Sequence, residues 1–148
     1  MPHFPVVCRF PMHWGEMDAL GHANHTRFLV WMESARIELF QSIGLLDHKT
    51  IGPILANIQV SYRKPIHYPA NLWCGVRVTR IGTKSFTLHY AIGQQVSENI
   101  QTNEHSWLAE GTTVIVTYDY AKSSSVRIPD EVRSAMEATF KGSDHAFM

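Results

Sequence analysis

The sequence predicts an α+β fold: a curved antiparallel sheet wrapped around one long central helix, with a short C-terminal helix. Three observations predict it. One stretch near the start has helical periodicity, its apolar stripe is too wide for a surface helix, and the rest of the chain alternates apolar and polar residues with period two. A sheet curled over the helix is the direct way to cover that stripe.

Val6 to Phe10 is rich in β-formers and reads as a first strand. A loop follows from Gly15 to Asn24, with Gly15 and Gly21 free to adopt backbone conformations that other residues resist. Asn24 is a candidate N-cap, and Thr26 is its rival. From about His25 to Ile43 the pattern is helical, with Phe28, Met32, Ala35, Leu39 and Ile43 on one stripe. Leu29, Trp31 and Phe40 widen it, which predicts burial around most of the circumference. Gly44 is placed to end the helix as its C′ residue.

Ile54, Ala56, Ile58, Val60 and Tyr62 alternate with polar residues, giving a strand with one buried face. Pro65 to Asn71 is a turn. Leu72, Cys74, Val76 and Val78 mark the next strand, Gly82 and Thr83 a tight connection, and Phe86, Leu88, Tyr90 and Ile92 another strand. Ser97 to His105 is polar and reads as an exposed hairpin loop. Val114, Val116 and Tyr118 alternate in the last long strand. A tail helix is predicted from Pro129 to about Phe140, with Val132, Met136 and Phe140 on its apolar face.

The chain has 148 residues, which argues for one domain over 1–148. With 45% hydrophobic residues it can bury a core without metal or disulfide. Lys plus Arg is 13 and Asp plus Glu is 13, so no basic excess points to nucleic acid or an anionic membrane. Cys8 and Cys74 are too few for a disulfide framework. The first ten residues carry Pro2 and Pro5 and no apolar run, which predicts no signal peptide. No apolar run is long enough to span a bilayer. The expectation is a soluble, cytoplasmic domain with neither nucleic acid nor membrane as partner.

The segment Gly15 to Phe28 carries the chemistry. It sets one carboxylate, Asp18, in a glycine-containing loop that runs into a helix N-terminus. Such a terminus offers unpaired N–H groups and a positive dipole end, which stabilise a negative oxygen. A carboxylate beside an oxyanion hole suits acyl transfer. The same Asp18 would also fix the loop simply by an Asx turn. His22 and His25 stand three apart, but no third ligand has convincing spacing, so no metal is expected. Glu33 and Arg36 are placed to pair across one helical turn in a structural role. No phosphate-loop or dinucleotide glycine pattern is present.

Trp14 to Phe28 (WGEMDALGHANHTRF), followed by Trp31-Met-Glu33-Ser-Ala35-Arg36, resembles the signature of the 4-hydroxybenzoyl-CoA thioesterase branch of hotdog acyl-CoA thioesterases. Ile54 to Pro65, Val78 to Tyr90, Ala109-Glu110-Gly111 and Ile128-Pro129 resemble that branch in the same order. The resemblance implies a thioester hydrolase that releases a carboxylic acid and CoA without a metal or redox cofactor. It implies Asp18 as nucleophile or general base, and the His25 backbone N–H as the group polarising the thioester carbonyl. It implies a nucleotide-end cluster of Arg80, Lys84 and Ser85, with Lys64 and Arg63 weaker candidates. His22 is expected to hydrogen-bond within the loop and shape it, and with Asn24 it is counted among the candidate substrate-binding residues. Trp14, Phe28, Met32 and Tyr62 are candidate pocket walls. Homodimers or homotetramers with active sites at the interface are expected. A non-catalytic acyl-CoA-binding or regulatory protein, and a thioesterase acting on acyl-carrier-protein thioesters, stay open.

Overall fold

The computed structural model describes residues 3–95 and 106–142, so the loop expected at Ser97 to His105 lies outside the described residues. Strand β1 is Val6–Pro11, helix α1 is His25–Ser42, and strands β2 to β5 are Ile51–Tyr62, Asn71–Ile81, Ser85–Gln94 and Ala109–Asp119. Strand β6 is Ser124–Ser125 and helix α2 is Asp130–Gly142. The sheet order is β1-β3-β4-β5-β2, antiparallel throughout, with β6 beside the end of β5. Strand β2 therefore pairs with β5 and not with its successor β3. It forms one margin of the sheet, and β1 forms the other. No helix among the described residues is long and apolar enough to cross a membrane.

Helix α1 begins where the polar side chains start it. Asn24 Oδ1 accepts from Thr26 N at 2.9 Å and from Thr26 Oγ1 at 2.8 Å, so the expected cap forms and its rival hydroxyl bonds back to it. Gly44 takes a φ of 77° just past the helix, the left-handed conformation that glycine adopts without penalty. Phe28, Met32, Ala35, Leu39 and Ile43 are buried against Leu72, Cys74, Val76, Val78, Leu88, Tyr90, Ile92 and Ile115. The helix is not buried around most of its circumference, however. Leu29, Val30 and Ile37 are exposed, because the sheet covers one side of it in a single chain.

Two strand phases differ from the period-two reading. A bulge between Leu55 and Asn57 shifts the register of β2 on β5, so Ile54 sits opposite Val116 while Ile58 sits opposite Thr113. Ile54 and Ile58 thus face opposite sides of the sheet, and Ala56 is exposed. On β5 the buried set is Ala109, Gly111, Thr113, Ile115, Thr117 and Asp119. Val114, Val116 and Tyr118 lie on the other face and are half-buried.

That outer face carries a small core of its own. Phe4, Trp73, Ala91 and Trp107 are buried together there. Gly93 makes room for the indole of Trp73: a Cβ at Gly93 would sit 2.5 Å from it.

Candidate functional site

A short 3-10 turn, Trp14–Glu16, leads into the loop that carries Asp18. The loop is cross-tied by its own backbone. Asp18 N donates to His22 O at 2.7 Å, Asn24 N donates to Glu16 O at 2.8 Å, and Met17 bridges Ala23. Gly21 completes the reversal at a φ of 81°. Oδ1 of Asp18 accepts from Leu20 N at 2.9 Å and from His22 N at 3.2 Å, so the Asx-type turn is present. These bonds use one carboxylate oxygen and fix the side chain's direction.

Asp18 and His25 line one cavity of about 310 Å³, together with His22, Ala23, Phe28, Tyr62, Arg63, Lys64, Pro65 and Ile66. Among the described residues no group accepts a hydrogen bond from His25 N–H, the first N–H of α1. An aspartate and the first residue of α1 therefore line one cavity, beside an apolar wall of Phe28 and Ile66. Tyr62, at the end of β2, donates from its hydroxyl to His25 O at 3.0 Å, and its ring meets Phe28 edge-on at 4.8 Å between centroids. His22 packs its ring edge-on against His67 at 4.5 Å. Among the described residues no cluster of three or more His, Cys, Asp or Glu is arranged to hold a metal ion.

Asn24 does not line this cavity; its side chain caps α1. Trp14 is exposed and Met32 is buried in the core, and neither lines it. Arg80 and Ser85 line a different cleft of about 220 Å³, with Gly82, Phe86, Thr87 and Val114. Lys84 is exposed and is not among those lining residues, while its carbonyl accepts from Thr117 N at 2.9 Å. This cleft is far from Asp18. Tyr62 stands opposite Ala109 on β5, whereas Ser85 stands opposite Val116, seven residues further along. At about 3.3 Å per residue that separation is roughly 23 Å along the sheet.

Sequence reasoning missed Glu16 and Ile66. Ile66 follows Pro65 in a turn, where no periodicity marks a buried side chain. Glu16 is a charged residue that ends up 9% exposed; one of its bonds is the local one to His13 N, but the other reaches Trp31, which no local pattern connects to it.

Residues 12–136 match the family described as the thioesterase-like superfamily. Over 61 residues the chain is 34% identical to YneP of Bacillus subtilis, a proposed acyl-CoA thioesterase. That match spans 38% of this chain and 44% of YneP, less than half of that protein. Among solved structures, a proposed thioesterase of Pseudomonas aeruginosa is 27% identical with a TM-score of 0.77, covering 90% of this chain and 98% of that one. A thioesterase of Thermus thermophilus solved with coenzyme A and zinc is 26% identical with a TM-score of 0.75, over 90% of this chain and 98% of that one.

Proposed function

The chain belongs to the thioesterase-like superfamily, and from that premise we propose that it hydrolyses an acyl-CoA thioester to a carboxylic acid and CoA. One observation carries the reading: Asp18 and His25, whose N–H has no acceptor among the described residues, line the same cavity, at the end of a helix whose dipole favours negative charge there. In this reading the thioester carbonyl points at His25 N–H. That donor stabilises the developing oxyanion, a contribution of about 3–4 kcal/mol to lowering the barrier. Asp18 either attacks the carbonyl carbon, giving a mixed anhydride that water cleaves, or takes a proton from the attacking water. In the first route the CoA thiolate leaves as the anhydride forms and takes up a proton; in the second it leaves as the tetrahedral intermediate collapses, taking the proton that Asp18 held. Both release the carboxylic acid and CoA.

Arg63 and Lys64 at the cavity, and Arg80, Lys84 and Ser85 at the distant turn, are the groups we assign to the phosphates of CoA. One chain holds these two sets at opposite ends of its sheet. A two-fold dimer joined along the free edges of β2 would set the Arg80 turn of one chain at the same end as the Asp18 cavity of the other. The reading therefore includes a homodimer, or a tetramer built from it, in the cytoplasm.

The Asx turn at Asp18 favours a second reading, in which Asp18 only shapes the loop and the protein binds acyl-CoA without cleaving it. Steady-state thiol release from matched CoA and acyl-carrier-protein thioesters separates the cases. Turnover of the CoA thioester supports the proposal, turnover of the carrier-protein thioester alone redirects it, and tight binding without turnover of either favours the second reading.

A further inference from the structure

We propose that Glu16 is a positioning residue for Asp18, holding the loop in register with the N-terminus of α1. The inference rests on the reading of Asp18 as the reacting group. Glu16 is only 9% exposed, and both of its carboxylate oxygens are used. Oε1 accepts from His13 N at 2.7 Å, before the loop. Oε2 accepts from the indole Nε1 of Trp31 at 2.9 Å, on the buried face of α1. The backbone carbonyl of Glu16 accepts from Asn24 N at 2.8 Å, at the cap that starts the helix. One residue thus ties the loop's beginning, its end and the helix itself.

The Glu16 carboxylate does not serve the reaction directly. It lines a different cavity, of about 340 Å³, shared with Cys8, Trp31 and Glu38 and not with Asp18. Two residues later the chain emerges on the other side and presents Asp18 to the cavity that holds His25. The distance between Asp18 and the first N–H of α1 is therefore set through Glu16 and Trp31. A displacement of about 1 Å between reacting groups costs roughly a hundredfold in rate.

The experiment compares wild type, Glu16→Gln, Trp31→Phe and the double variant, with Asp18→Asn alongside. The substrate is benzoyl-CoA or hexanoyl-CoA, whichever the wild type turns over faster. Glutamine keeps the size of the side chain but only one accepting oxygen. The expected result is a fall in kcat of about 10- to 100-fold in Glu16→Gln with KM changed by less than about twofold, because positioning is lost and binding is not. The double variant loses less than the two single losses combined, since both variants act on the bonds of one carboxylate. In nitrogen-proton NMR, the indole resonance that vanishes in Trp31→Phe moves in Glu16→Gln.

A folded Glu16→Gln with wild-type kcat and only a lower Tm overturns the proposal. If Glu16→Gln does not fold, Trp31→Phe breaks the Glu16–Trp31 bond from the helix side, and a wild-type kcat there overturns it equally. An inactive Asp18→Asn beside a fully active Glu16→Gln overturns the positioning role alone. Activity surviving in Asp18→Asn, or no wild-type turnover of either substrate, overturns the Asp18 reading and this role with it.

Discussion

Arg77 donates from Nε to Nδ1 of His89 at 2.9 Å, and that bond fixes which imidazole nitrogen carries the proton. Arginine only donates, so Nδ1 accepts, and the proton sits on Nε2 facing Glu110 Oε1 at 2.7 Å. Glu110 in turn pairs with Arg63, whose guanidinium lies over the ring of Trp107. Phe4 stacks on His89. The outer face of the sheet thus holds a neutral histidine between a cation and a carboxylate.

This arrangement predicts how stability depends on pH. Burial pushes the His89 pKa below its usual 6.5, against the pull of Glu110, while Arg77 and Arg63 push it the same way as burial. Between the lowered folded value and 6.5 the unfolded chain binds the extra proton, so stability rises with pH in that window. It is fully present above 6.5 and is lost as pH falls below it. Urea midpoints at pH 7.5 and 5.5 are expected to drop on acidification, and to drop less in His89→Gln.

Gly93→Ala is expected to destabilise the protein by about 1–3 kcal/mol, the usual cost of overpacking. The new Cβ would lie 2.5 Å from the indole of Trp73, which is fully buried and has no room to move. Denaturant unfolding measures the loss. The pairing of Gly93 with Trp73 on β3 means that the clash falls on the outer core and not on the Asp18 cavity.

The helix, its cap, its glycine stop and four of the long strands were legible because each is written locally, in side-chain period or in one special residue. What was not legible depended on partners distant in the chain. The bulge at Ala56 reverses the face of Ile54 without changing the alternation of apolar residues around it. Phe4, Trp73 and Trp107 form a core from three remote segments. The Glu16–Trp31 bond spans fifteen residues and a change from loop to helix. The motif residues Asp18, His22 and His25 were found as one cluster, and the structure brings them to one cavity. Arg80 and Ser85 are near each other and far from that cavity, which the strand register decides and composition does not.

If Arg80 binds the nucleotide end of CoA, Arg80→Ala raises KM for an acyl-CoA by about tenfold, the worth of one charged hydrogen bond. It leaves kcat unchanged, and it leaves hydrolysis of the matching N-acetylcysteamine thioester unchanged, because that substrate has no nucleotide. Initial-rate kinetics on the two substrates read the split. An equal effect on both would remove Arg80 from the phosphate site.

The account stands on Asp18 as the group that acts on the thioester. The direct measurement is free-thiol release from aliphatic and aromatic acyl-CoAs by wild type and by Asp18→Asn, with circular dichroism showing both folded. The account predicts turnover by the wild type and a loss of about a hundredfold or more in the variant, the scale of a missing general base or nucleophile. Equal rates in the two proteins, or a folded wild type that releases no thiol from any of them, would contradict it.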